Sequence, residues 1–458
     1  MKPMQYAQRA DVRSILKLAT PICAANLAIV CSGTIDTVMA GRASADDLAG
    51  VALGIAVATW ISISLAGILQ GISPIAGYAY GARKYEDVGH ALQQCIYLAI
   101  AMAVVGTILT MQTDMWMRVS GSEGAVSIIA SNYLIYAGCA LPAILVGRAF
   151  IAVNAAVSRP AASMFVTLGI VLLKVPTNWL FINKLGLGGA GTGLATCVLS
   201  WIALIAYALI WTFDPYYRRM HVGRYQLPSM LMLEKQLRIG IPIGLSIFFE
   251  MTSYTLMAIF IARLGAVALA SHQIVANLVW LYYVVPFAIG VAGTVLVSQN
   301  LGAQSPANAR HAAYLVMLLA FLGSIGIAIP TIFYRNEIAA LYSSDPEVQK
   351  MAASFIAVVC MYHIADAIQC SGSCVLRGYR ITLIPMLVHS CLLCGVGLSV
   401  GWWMSGFIPD SPFNLGAMGF WIGATVGLTL SALVIGPFTL IAANNNAGLS
   451  RFNFSLRL

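Results

Sequence analysis

Twelve stretches of about 20 mostly apolar residues, each long enough to cross a hydrocarbon core of about 30 Å, constrain this chain more than any other feature. They centre near Ala28, Ser62, Ala101, Gly138, Val171, Ile202, Phe249, Trp280, Leu319, Val359, Leu392 and Val426. The plainest are Cys95 to Met111, Ala312 to Tyr334 and Ser411 to Ser450, which contain no charged side chain. In lipid only helices and closed barrels satisfy their backbone groups, and runs this long and continuous are helical. Charged residues make up 9% of the 458, against about 25% in a soluble domain, which leaves too little polar surface for a water-soluble globule. The expected fold is therefore an all-α integral membrane protein of twelve spans. Met1 to Lys17 is polar and basic and the first apolar run is full length, so no cleaved leader is expected.

The net charge of +9 follows from topology. An even number of spans puts both termini on one side. That side collects Lys2, Arg9, Arg13, Lys17, Arg83, Lys84, Arg159, Arg218, Arg219, Arg224, Lys235, Arg238, Arg310, Arg377, Arg380, Arg451 and Arg457. The other side holds only Arg42, Arg118, Lys184, Arg263, Arg335 and Lys350. Seventeen against six places both termini in the cytoplasm, with the basic loops meeting anionic headgroups of the bilayer and no nucleic acid required. All ten cysteines fall in apolar segments and read as small core residues. Cys391 and Cys394 form a CxxC, but no His or carboxylate stands at metal-ligand spacing beside them.

The longest polar stretch divides the spans six and six, giving an amino-terminal lobe over 1–213, an inter-lobe loop over 214–238 and a carboxy-terminal lobe over 239–458. At an offset of 221, Pro21 matches Pro242, Arg42 matches Arg263, Gly81-Ala82 matches Gly302-Ala303, His90 matches His311 and Arg159 matches Arg380. A fixed offset yields chance identities, so the weight lies in where these fall: at span ends and turns. Leu187-Gly188 with Gly191 recurs as Leu415-Gly416 with Gly419 after a loop about seven residues longer. Duplicated six-helix halves predict two lobes related by an internal repeat, an architecture common among alternating-access transporters.

Three acids lie inside spans, where a charge costs roughly 2.5 to 3.5 kcal/mol to insert, so each is a candidate functional group. They are Asp36, Glu250 and Asp366. They do not match at the repeat offset, since Asp36 corresponds to Met257 and Glu250 to Ile29. Around Asp366 helical spacing brings Tyr362, His363 and Gln369 to about the same face, and Glu250 has Phe248, Phe249 and Tyr254 close by. A carboxylate among aromatic rings suits a cation. Gln273, Asn277 and Trp280 share a face of the eighth span with Tyr283 near. The bland alternative for all of these is a buried polar group that ties helices together. Arg148 can snorkel to the headgroups; Lys174 is deeper. Counted from the outward loops, Asp36 and Lys174 differ in depth by about 6 Å, within a lysine's reach, so the two can pair if the first and fifth spans share a lobe, the alternative being that Lys174 snorkels alone toward the outer headgroups. His389 reads as a lone histidine in an apolar helix.

Thr34-Ile35-Asp36-Thr37-Val38-Met39-Ala40-Gly41, Tyr80-Gly81-Ala82, Ser158-Arg159-Pro160, Gly240-Ile241-Pro242-Ile243-Gly244 leading to Glu250, Ala365-Asp366 and Leu376-Arg377-Gly378-Tyr379-Arg380 together resemble the NorM-like branch of the multidrug and toxic compound extrusion (MATE) family. The resemblance spans nearly the whole chain. It implies an inner-membrane antiporter, active as a monomer and without a cofactor, that exports cationic amphiphilic drugs in exchange for Na⁺ or H⁺. By position it implies Glu250, Asp366 and Asp36 as cation-coupling acids, with Tyr362 beside Asp366 in any Na⁺ site. It also implies a substrate cavity drawing on Asp36, Asn178, Lys174, Gln273, Trp280, Tyr283 and Tyr362. Where the branch that couples through its amino lobe has a second acid one turn after an Asn, Asn178 is followed here by Ile182, which favours carboxy-lobe coupling.

Two other readings compete. A lipid-linked-precursor or polysaccharide flippase would line its cavity with several basic residues to bind phosphates, whereas three embedded acids face only Lys174 and Arg148 here. An intramembrane enzyme is disfavoured because no HExxH, GxSxG or Gly-rich phosphate loop occurs in a suitable context.

Overall fold

The structure is a computed structural model that describes residues 11–220, 226–408 and 412–445. Lys2, Arg9, Arg224, Arg451 and Arg457, which contribute to the charge asymmetry, lie outside the described residues, as do the ends of the 411–450 run. Among the described residues twelve helices are long and apolar enough to cross a membrane. In order, the spans are Val12–Ala43, Ala45–Gly81, Tyr85–Met111, Gly124–Ala156, Pro160–Lys184, Gly188–Phe213, Met230–Ala262, Ala266–Gly302, Pro306–Phe333, Pro346–Gly378, Leu383–Met404 and Ala417–Asn444. Each contains the centre expected from hydropathy. Short helices Thr113–Ser120 and Arg335–Tyr342 follow the third and ninth spans, the same place in each half. The polar segment read as the inter-lobe loop is partly helical, over Pro215–Arg218 and again from Met230, where the seventh span begins.

Packing divides the chain into two compact units, residues 20–244 and residues 1–19 with 245–458. The division falls inside the first and seventh spans, next to Pro21 and Pro242, which interrupt the backbone ladder at equivalent positions. Within 20–244 the core gathers Leu92, Leu145, Phe150, Tyr207 and Trp211. Within 245–458 it gathers Ile261, Ile356, Tyr362, Phe420 and Trp421. The repeat appears in backbone conformation. Arg83 and Gln304, 221 apart, end the second and eighth spans at φ 59° and 56°. Ser158 and Arg380 do the same after the fourth and tenth at 62° and 63°. Left-handed conformations at non-glycine residues are uncommon, so four at corresponding turns mark a shared chain path more firmly than the identities do.

Ten free cysteines are present, but Cys31, Cys139 and Cys391 are exposed on the protein surface, so the reading of all ten as core residues is corrected for these three.

Close helix crossings rest on missing side chains. A Cβ on Gly423 would stand 2.4 Å from the Gly401 nitrogen and 2.5 Å from the Gly397 carbonyl oxygen, so the eleventh and twelfth spans meet backbone to backbone. Gly423→Leu should therefore lower the thermal unfolding midpoint of the detergent-purified protein, by an overpacking cost of about 1–3 kcal/mol or more. Gly323→Ala, which meets nothing within 4 Å, should leave it within about 0.5 kcal/mol of wild type.

Candidate functional site

Two charged sites form at membrane depth, one in each unit. In residues 20–244, Asp36 of the first span faces the fifth. Lys174 Nζ lies 3.0 Å from Asp36 Oδ2, and Asn178 Nδ2 donates to Asp36 Oδ1 at 2.7 Å. Lys174 and Asn178, four residues apart on one helix, share a face and grip both carboxylate oxygens. Lys174 Nζ also reaches Thr196 Oγ1 of the sixth span at 2.5 Å, and the Tyr133 hydroxyl stands beside Thr196. Asp36, Lys174 and Asn178 are 4%, 2% and 0% exposed. This is a closed network in which both charges have direct partners.

The Asp36–Lys174 pair is thus present. Thr196 and Tyr133 join it from helices that the sequence did not point to, since contacts across helices leave no periodic signal. Just beyond Asn178 the fifth span winds into a π-helical turn over Leu180–Lys184, an irregularity often found at functional sites.

The second unit holds a different arrangement. Glu250 of the seventh span and Asp366 of the tenth lie within electrostatic reach of each other and of the Tyr254 and Tyr362 hydroxyls. Those two hydroxyls are hydrogen-bonded together. Among the described residues neither carboxylate accepts a hydrogen bond. The nearest partner of Glu250 is His389, whose Nε2 stands 3.8 Å from Glu250 Oε2. His389 Nδ1 lies 2.5 Å from Gln369 Nε2. An amide donating to Nδ1 leaves the ring proton on Nε2, facing the carboxylate. Cys394 Sγ bonds the Phe249 carbonyl at 2.9 Å and holds the eleventh span against the seventh beside this contact.

His389 is the residue that sequence reading undervalued. It stands 139 residues from Glu250, and only folding puts the two together. The π-helical segment Ser390–Gly397 begins immediately after it, so the fifth span of each half carries a π-helical stretch, at different places along the span. His363, expected on the face of Asp366, instead packs its ring 5.4 Å from Tyr282. Gln369 turns toward His389.

The remaining cavity candidates lie on the eighth span. Gln273 and Trp280 are exposed on one helix face, and Trp280 meets Tyr283 edge to face at 6.0 Å between ring centroids. Tyr283 in turn stacks on Phe287 at 5.5 Å. The candidates for cation coupling and for the cavity therefore fall into an Asp36–Lys174–Asn178 cluster, a Glu250–Asp366–Tyr362 cluster and an aromatic face. Among the described residues no group of three or more His, Cys, Asp or Glu is placed to hold a metal ion.

Twelve spans in two repeated halves, with charged networks between the helices of each unit, are the architecture of a multi-pass membrane protein. Residues 21–180 and 242–403 match the MatE family, and the chain belongs to it. "Probable multidrug resistance protein NorM" of Aromatoleum aromaticum is 35% identical over 425 residues, covering 91% of each chain. A protein of the same name from Neisseria meningitidis serogroup B is 30% identical over 93% of each. The crystal structure of the eukaryotic MATE transporter AtDTX14 has the same fold, with a TM-score of 0.85 over 95% of this chain and 98% of that one at 21% identity.

Because the Asp36–Lys174 pair is buried, removing one partner strands the other. Asp36→Asn and Lys174→Met should each destabilise the protein by about 3–5 kcal/mol, and the double variant by less than either. A double-mutant cycle read by thermal unfolding checks this, with additive losses contradicting an interaction.

Proposed function

We propose that this protein is a secondary active multidrug efflux antiporter of the cell inner membrane, with both termini cytoplasmic, exporting cationic amphiphilic compounds in exchange for H⁺ by alternating access. The observation that carries the reading is the pair of acids Glu250 and Asp366 at membrane depth, neither of which accepts a hydrogen bond among the described residues, with Arg377 within electrostatic reach of Glu250. An ionised carboxylate without a partner is costly in a low-dielectric interior. A proton or a cationic substrate can neutralise it, and competition between the two for one negative charge is the elementary step of antiport. Binding of the drug displaces the proton; return of the proton displaces the drug. The relatives' names as multidrug resistance proteins support the substrate breadth.

The choice of H⁺ over Na⁺ rests on His389. A hard cation is held by several oxygen ligands. The approach to Glu250 from His389 offers a nitrogen, and one bearing a proton when Gln369 donates to Nδ1. Such a group hydrogen-bonds a carboxylate and repels a cation. Asp36, already balanced by Lys174, is assigned a different role: it holds the first and fifth spans together and exchanges no ion. The exposed Trp280, edge to face with the half-buried Tyr283, supplies a ring face for planar cations. Trp280→Ala should weaken protection against such cations several-fold while leaving expression unchanged.

Glu250→Gln and Asp366→Asn remove a charge at nearly constant volume. Both variants should insert and accumulate as wild type, yet lose ethidium efflux from energised membrane vesicles. Wild-type efflux should follow an imposed pH gradient and ignore an imposed Na⁺ gradient. Normal efflux by both variants would overturn the coupling assignment; Na⁺-driven efflux would overturn the choice of proton. Protection of a pump-deficient host against anionic compounds alone would favour the flippase.

A further inference from the structure

Residues 20–244 contain a third charged place, which the antiport reading does not use. A small, partly open pocket lies among the first, fourth and fifth spans, and Arg148 lines it together with Asn26, Ser163 and Thr167. Among the described residues Arg148 has no carboxylate within ion-pair distance. The Tyr207 hydroxyl is its near polar neighbour. The expectation that Arg148 simply reaches out to the headgroups does not account for a side chain that faces a pocket within the unit.

The pocket supplies further hydrogen-bonding capacity. Ser163 Oγ accepts from Asn154 Nδ2 at 3.0 Å, and its hydroxyl and that of Thr167 stand beside the Tyr207 hydroxyl. Asn26 and Thr167 have spent a donor each on their own helices, to the Ile22 carbonyl at 2.8 Å and the Ser163 carbonyl at 2.9 Å. The strongest unspent donor is the guanidinium, with five N–H groups in a planar fork that matches an oxyanion. The rest of the wall is aliphatic, from residues such as Ile22 and Ile151.

The internal repeat sharpens the reading. At the offset of 221, Ile29 corresponds to Glu250, Arg148 to Gln369 and Leu168 to His389. Ile29 and Arg148 both line this pocket. The helix positions that hold an acid, an amide and a histidine in residues 245–458 therefore hold an isoleucine, an arginine and a leucine here, around a space of opposite charge. A site with an unpaired carboxylate takes a cation; its counterpart with an unpaired guanidinium takes an anion.

We propose that this pocket is a binding site for a net-anionic phosphate group gripped by Arg148, either the headgroup of an anionic phospholipid or inorganic phosphate. Basic pockets between membrane helices are where anionic headgroups bind. The aliphatic wall favours the lipid, whose first methylenes it would cover. Arg148 then holds this part of the fold together through a ligand that the bilayer provides.

The test uses the full-length protein purified in a neutral detergent. Thermal unfolding and native mass spectrometry are recorded with added phosphatidylglycerol, phosphatidylcholine or inorganic phosphate. Phosphatidylglycerol should raise the midpoint by several degrees more than phosphatidylcholine and remain bound in the mass spectrum, and Arg148→Gln should abolish the difference while Arg148→Lys keeps part of it. A midpoint shift with inorganic phosphate that Arg148→Gln removes would assign the free anion instead, within the same site. Equal responses to both lipids with none to phosphate, or a phosphatidylglycerol response undiminished in Arg148→Gln, would overturn the proposal. Should Arg148→Gln fail to fold, Ala25→Phe fills the pocket and leaves the charge in place. Undiminished phosphatidylglycerol binding by that variant would overturn the proposal equally.

Discussion

A charge inside a bilayer must be met by another charge, because no water is at hand to solvate it. Much of the chemistry of this protein follows from how each embedded charge is met. Asp36 and Lys174 meet each other, 3.0 Å apart, with Asn178 and Thr196 satisfying what remains. Glu250 has a histidine at 3.8 Å and Arg377 within electrostatic reach, and neither it nor Asp366 accepts a hydrogen bond among the described residues. The closed network satisfies its own charges; in the proposed antiport the open one is completed by an ion or substrate that arrives from solution. That difference in satisfaction, more than the identity of the acids, separates a group that holds helices together from one that binds and releases an ion.

The duplicated scaffold lets the two units differ in chemistry while keeping the same chain path. Left-handed residues close equivalent turns at Arg83 and Gln304 and at Ser158 and Arg380. The fifth helix of each half loosens into a π-helical segment just after its site residue, at different places along the span: Leu180–Lys184 following Asn178 and Ser390–Gly397 following His389. A π turn shifts the register of everything beyond it, so the polar residue before it can face the interior while the helix continues along another face. The scaffold thus provides matching recesses, and substitutions such as Glu250 against Ile29 decide what each recess attracts.

The sequence made some of this legible and hid the rest for physical reasons. Span number and span centres were readable because hydrocarbon thickness fixes a length and excludes charge over it, and both leave long unbroken signals. The three acids were readable because they violate that exclusion. Depth alone allowed the Asp36–Lys174 pair, since counting from the loops gives height in the membrane even when neighbours are unknown. His389 could not. Its importance comes from azimuth, the direction it faces around the helix, and azimuth in the eleventh span is reset by an irregular winding that apolar composition does not announce. Arg148 was visible as a charge, but only packing distinguishes a side chain that reaches headgroups from one that lines a pocket.

The central claim is that drug and proton compete for the carboxylates of the second unit. It is tested most directly by adding tetraphenylphosphonium to the purified protein in weakly buffered detergent solution and recording the pH. Competition predicts that binding of the cation releases protons into the medium, and that Glu250→Gln releases fewer while still folding. Cation binding by the wild-type protein with no proton release, at any pH where it binds, would contradict the account.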